Sequence, residues 1–131
     1  MIKKRRQRRF HQIIDLYDVD KNLIYDDSFW VYTIKSIAKL IDMGILDGPR
    51  IIHGQDFNPG DTIVTVIDFS DIIVHTFDED EKYVNAICLE VFSCKPFDYS
   101  KLLDYVMEVT NTKPSQVKKS IVKYNNLPRS K

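Results

Sequence analysis

Residues 62–76 read Thr-Ile-Val-Thr-Val-Ile-Asp-Phe-Ser-Asp-Ile-Ile-Val-His-Thr. Two runs rich in β-branched residues, 62–69 and 72–76, flank a short Phe69-Ser70-Asp71 break. Such runs pack well on a pleated surface and are too short for buried helices, so they read as consecutive strands. Working outward, 50–57 carries another strand signal, and Asn58-Pro59-Gly60-Asp61 is read as the turn that follows it. On the other side, the acidic run Asp78–Lys82 reads as a solvated loop before a long strand at Tyr83–Phe92. Helical spacing lies farther out. Apolar Trp30, Ile34, Ile37, Ala38 and Ile41 form one face, with Asp26, Asp27 and Ser28 as N-cap candidates and Gly44 as the expected stop. A second face is formed by Leu102, Leu103, Val106 and Val109, opened by Asp98 or Ser100. Strands at Phe10–Tyr17 and Val117–Tyr124 bracket the whole. The order strand, helix, strands, helix, strand predicts an α+β two-layer sandwich, a mainly antiparallel sheet with two helices packed on one face.

With 131 residues the chain fits one domain, set at 10–124 between a basic arm (1–9) and a tail (125–131). No apolar run approaches the roughly 18 residues a membrane span needs, and no apolar segment follows the basic N-terminus as in a secretory signal. Cys88 and Cys94 do not make a disulfide framework, so the expected compartment is the reducing cytoplasm. The zero net charge hides an asymmetry. Residues 3–9 carry six positive charges, and six more follow Glu108 with no acid among them. The stretch 10–108 therefore holds 19 acids against 7 bases. An acidic body suits a cationic small molecule better than a nucleic acid, and the basic arm is read as a solvated arm before an anchor for RNA or an acidic partner.

Three polar residues stand out. Ser70 interrupts the two apolar runs, His75 closes the second, and Cys94 follows Val91-Phe92-Ser93. Each also has a plain reading: a turn serine, a strand-end histidine, and a small apolar residue at a strand terminus. Ser70 and His75 are five apart, which on a regular strand points them to opposite faces; they converge only if Ser70 belongs to the turn. His11, His53, His75, Cys88 and Cys94 show no metal-ligand spacing, and Cys88 is most simply a core residue.

In order and context these residues resemble the prokaryotic S-adenosylmethionine decarboxylases, which are pyruvoyl-dependent proenzymes. That family's signature is a strand, Glu-Ser-His, two or three apolar residues, His-Thr-Trp-Pro-Glu, and later Val-Phe-Thr-Cys. The corresponding text here is Phe69-Ser70-Asp71-Ile72-Ile73-Val74-His75-Thr76-Phe77-Asp78-Glu79, then Val91-Phe92-Ser93-Cys94. His11-Gln12-Ile13-Ile14-Asp15-Leu16-Tyr17 is similar to the family's opening strand, and Phe57-Asn58-Pro59-Gly60-Asp61-Thr62 to its Phe-Ser-Pro-x-Gly-x-Ser segment. The likeness spans about residues 10–124. It departs at Phe69 for glutamate, Asp71 for histidine, Phe77-Asp78 for Trp-Pro, and in a longer loop after Glu79.

The resemblance implies cleavage between Phe69 and Ser70, with Ser70 becoming a covalent pyruvoyl group that forms a Schiff base with the substrate amine. The ketone and its neighbouring amide then do the work that pyridoxal phosphate does elsewhere, with neither that cofactor nor a metal. His75 is implied in proton transfer during processing, Thr62 in assisting it, and Cys94 as the proton donor in turnover. Glu79 would hold ribose hydroxyls, and Phe57 would stack on adenine. The implied substrate is S-adenosylmethionine, for spermidine and other polyamine synthesis, and the implied assembly a homodimer. The alternatives are the same chemistry on ornithine or arginine, or an unprocessed, inactive homologue that acts as a binding or regulatory subunit.

Overall fold

The computed structural model describes residues 8–79, 84–125 and 128. Residues 1–7 of the predicted arm, the predicted strand start at Tyr83 and most of the tail lie outside them. Strand β1 (Phe10–Tyr17) leads to helix α1 (Asp27–Leu40), then to β2 (Ile45–Gln55), β3 (Asn58–Ile67), β4 (Ser70–Phe77) and β5 (Ala86–Ser93). Helix α2 (Tyr99–Thr110) and β6 (Val117–Ile121) complete the order. The six strands form one sheet in the order β2-β3-β4-β5-β1-β6, every pair antiparallel.

Alternation places one row of each strand inward. Ile63, Val74, Leu89 and Ile14 are successive cross-strand partners, and all four are fully buried. Against this face α1 sets Trp30, Ile34 and Ile37, and α2 sets Leu102 and Val106. Each such side chain contributes about 1.5–3 kcal/mol of hydrophobic stabilisation. The α+β two-layer prediction therefore holds, with both helices on one face. The opposite face carries Ile13, Asp15, Val64, Asp71, Ile73, His75, Cys88, Glu90 and Phe92, none fully buried and, among the described residues, with no helix laid over them.

Two local expectations need correction. Helix α1 is opened as read, by the Asp26 carboxylate accepting the Phe29 N–H at 3.1 Å. It is not closed by Gly44: Asp42 takes the left-handed conformation, at φ 57°, and the Gly44 N–H goes instead to the Asp68 carboxylate at 2.6 Å. Second, Asn58-Pro59-Gly60-Asp61 is not the turn. Asp56-Phe57 is the connection, because Gln55 pairs with Asn58, and β3 already runs through Pro59 and Gly60. A register irregularity between His53 and Gln55 accommodates the proline, which cannot donate to a ladder.

Gly60 has φ 127°, and a Cβ there would collide with the carbonyl oxygen of Thr76 on β4. Its value is the absence of a side chain between two backbones. Gly60→Ala is expected to cost about 1–3 kcal/mol, read as a lower urea midpoint with an unchanged slope. An unchanged midpoint would show that β3 can move aside without loss.

Candidate active site

The connection between β3 and β4 is the two-residue turn Asp68-Phe69, with Ile67 paired to Ser70. Three segments brace it. The Asp68 N–H donates to the Gly44 carbonyl at 3.0 Å, reciprocating the Gly44 N–H bond to its carboxylate. The Cys94 backbone N–H donates to the Phe69 carbonyl at 3.1 Å. The Lys95 ammonium lies 5.7 Å from the centre of the Phe69 ring and also donates to the Asp42 carbonyl at 2.8 Å. Residues distant in sequence thus hold the Phe69–Ser70 peptide, and a backbone donor is already aimed at its carbonyl oxygen.

Ser70 is the first residue of β4, paired with Ser93 of β5, and it does not belong to the turn. Its hydroxyl donates to Asp71 Oδ2 at 3.2 Å. Partial burial raises the Asp71 carboxyl above the ordinary aspartate range; the Ser70 hydroxyl pulls it back, Glu90 raises it further and His11 lowers it. In the sequence Asp71 is only a departure from a motif. Its side-chain contact with Ser70 could have been suspected from adjacency alone.

His75 sits five residues along the same strand, roughly 16 Å from Ser70 at about 3.3 Å per residue. There its Nδ1 is 3.2 Å from the Thr62 hydroxyl, the two being cross-strand partners. Phe57 occupies the exposed β2–β3 turn beyond them, and the Glu79 backbone N–H donates to the Asn85 side chain at 3.2 Å just after β4. The candidate residues therefore fall into two groups. Phe69, Ser70 and Cys94 share one end of the sheet; Phe57, Thr62, His75 and Glu79 share the other. Beside Thr62 and His75 lies a cavity of about 70 Å³, far below the roughly 300–1,000 Å³ of small-molecule pockets.

From the Thr62–His75 end a polar row crosses the open face. Thr62, His75, Cys88 and Asp15 are successive cross-strand partners, a neighbourhood that no spacing in the sequence discloses. Burial, with the charge and hydrogen bond of Asp15, pushes the Cys88 thiol up to about 12. A thiol held protonated is no nucleophile. At the Ser70 end of this face His11 lies 3.2 Å from Glu90 and 2.8 Å from the Tyr124 hydroxyl. Arg9 covers the Tyr124 ring at 4.5 Å and donates to the Asn125 carbonyl at 2.7 Å.

At the edge, exposed His53 places Nδ1 2.7 Å from Oδ1 of Asp61, whose side chain is fully buried. The hydrogen bond to Asp61, then its charge, raises the His53 pKa. Folding thus favours the imidazolium: its contribution is complete below the unfolded value of about 6.5 and is lost as pH rises through the higher folded value. The melting temperature is expected to fall across that window, and His53→Gln to flatten the fall. Parallel wild-type and variant profiles would show that the pair does not govern it.

Among the described residues no three His, Cys, Asp or Glu side chains are grouped to hold a metal ion, and no helix is long and apolar enough to cross a membrane. The sequence profile described as S-adenosylmethionine decarboxylase matches residues 10–122. No match is found among the curated proteins. Among solved structures, the adenosylmethionine decarboxylase from Aquifex aeolicus VF5 is similar in fold: TM-score 0.69 at 19% identity, covering 97% of this chain and 98% of that one.

Proposed function

Because the chain belongs to the S-adenosylmethionine decarboxylase family, we propose that it is a self-cleaving decarboxylase whose substrate is S-adenosylmethionine and whose prosthetic group is a pyruvoyl made from Ser70. The observation that carries this reading is the braced peptide: the Phe69 carbonyl accepts from the Cys94 N–H while the hydroxyl of the next residue, Ser70, donates to Asp71. Attack of that hydroxyl on the Phe69 carbonyl carbon converts the amide to an ester. The Cys94 N–H is placed to stabilise the oxyanion on the way, as preorganised donors do. Loss of the Ser70 α-proton then breaks the Cβ–Oγ bond and releases Phe69 as a carboxylate, and water converts the remaining enamine to the pyruvoyl with release of ammonia. When formed, the pyruvoyl supplies the electron sink for decarboxylation. Cys94, at the same end of the sheet, is the residue we assign to return a proton to the substrate carbon.

The split between the two groups of residues bears on assembly. One chain cannot bring His75 to Ser70, yet a second copy laid across the open face, end for end, would set its Thr62 and His75 over the Phe69–Ser70 end, where the Ser70 hydroxyl meets the open face through Asp71. A two-fold arrangement is isologous, so each copy would present its Thr62, His75, Phe57 and Glu79 to the partner's Ser70 and Cys94. It would also cover Ile13, Val64, Ile73 and Phe92, and enlarge the small cavity beside His75 into a substrate-sized site. The acidic face, with Asp15, Asp71 and Glu90, suits a sulfonium cation.

Release of labelled CO2 from S-adenosylmethionine, ornithine and arginine tests the substrate. Turnover of S-adenosylmethionine at least about tenfold faster than either amino acid is expected, a discrimination of about 1.4 kcal/mol. Preference for an amino acid would move the assignment to basic amino-acid decarboxylation, with the same maturation.

A further inference from the structure

Resting on the self-cleavage reading, we infer that Asp71 is the base of the first maturation step, taking the Ser70 hydroxyl proton as Oγ attacks Phe69. Asp71 Oδ2 already accepts that hydroxyl at 3.2 Å. His75 of the same chain lies five residues along the strand and cannot reach this hydroxyl, and a His75 supplied by a second copy is left to the later α-proton step. Asp71 points to the open face, set in register between Val66 of β3 and Phe92 of β5. Facing it are Glu90 from β5 and His11 from β1, and His11 is in turn held by Tyr124. Partial burial, and to a lesser degree Glu90, make Asp71 a stronger base than a solvated aspartate, against the opposing pull of the Ser70 hydroxyl and then of His11.

The proton balance closes on one residue. The Ser70 O–H proton passes to Asp71 as the Oγ–C bond to Phe69 forms. The tetrahedral oxyanion, held by the Cys94 N–H, collapses with breakage of the bond from Phe69 carbon to Ser70 nitrogen. The departing nitrogen takes the proton back from Asp71, leaving an ester, a free amine and an ionised Asp71. No oxidant or added reactant is required. The later α-proton removal is a separate step and is left to another base.

The test is the rate of cleavage of newly purified protein across pH, followed by intact mass, for wild type, Asp71→Asn, Asp71→Glu and Asp71→His. Wild type is expected to cleave faster as pH rises through an acidic limb and then to level off. Asp71→Asn, of nearly the same shape, should cleave about 100-fold more slowly and lose the limb. Asp71→Glu should recover part of the rate, and Asp71→His should move the limb up toward the histidine value of about 6.5. A purely structural role for Asp71 would leave the limb in place whichever base stood there. Wild type that cleaves with no acidic limb, or Asp71→Asn that matches wild type, overturns the role of Asp71 and leaves self-cleavage standing. Should Asp71→Asn fail to fold, the wild-type limb and its displacement in Asp71→His decide the matter. A wild-type chain that never cleaves overturns self-cleavage and this role together.

Discussion

Purified wild-type protein is expected to resolve into two chains, 1–69 and 70–131, the second blocked by a pyruvoyl, while Ser70→Ala remains whole. The hydroxyl is the only group on residue 70 that can attack the Phe69 carbonyl, so its removal leaves the Cys94 N–H bonded to an ordinary amide. Uncatalysed amide cleavage is negligible on the time of purification, which makes the contrast all or none. Among the described residues the Ser70 hydroxyl makes one hydrogen bond, to Asp71, so the alanine variant should keep the wild-type fold and its stability to within about 1 kcal/mol. Intact mass spectrometry reads both chains at once. If wild type and Ser70→Ala give the same single mass after prolonged incubation, the enzyme reading fails, and the protein is an unprocessed member of its family with a binding or regulatory role.

Cleavage in mixed assemblies is the second large effect. His75→Ala and Ser70→Ala are each expected to stay whole when expressed alone. Expressed together with distinguishable tags, the His75→Ala chain should be cleaved and the Ser70→Ala chain should not. The reason is the separation on β4. A His75→Ala chain still carries Ser70, and in the proposed two-fold dimer its Ser70→Ala partner would supply an intact Thr62–His75 pair. In a random mixture about half of the assemblies pair the two variants, so about half of the His75→Ala chains should split. No cleavage in the mixture, with cleavage of wild type alone, would show that His75 serves its own chain by some rearrangement of β4. Cleavage of His75→Ala alone would remove it from maturation.

The legibility of this fold follows the range of the interactions that make each part. Strand β1 and the start of α2, with Asp98 rather than Ser100 proving to be its cap, were legible because period-two alternation and N-cap chemistry are written into adjacent residues. The Asn58–Asp61 cluster misled, since turn chemistry was outweighed by the pairing of β3 with β2 and by the close approach of Gly60 to Thr76. The stop of α1 was misplaced for a similar reason. Gly44 is reserved for a bond to Asp68, 24 residues on, so Asp42 takes the left-handed turn.

Of the candidate site, Ser70, His75, Cys94 and Thr62 could be named from order and flanking residues, and the parity of Ser70 and His75 already forbade their meeting on one regular strand. Strand and helix content, the two-layer class and the residue types available for chemistry are thus legible in the order of residues alone. Each of these follows from local periodicity and covalent neighbours. Folding in three dimensions is what puts β5 between β4 and β1, brings the Cys94 N–H to Phe69, and sets His75 in a row with Cys88 and Asp15 rather than with Ser70. Those are contacts across strands of distant sequence, set by which registers bury Ile14, Ile63, Val74 and Leu89 together, and no local pattern encodes them.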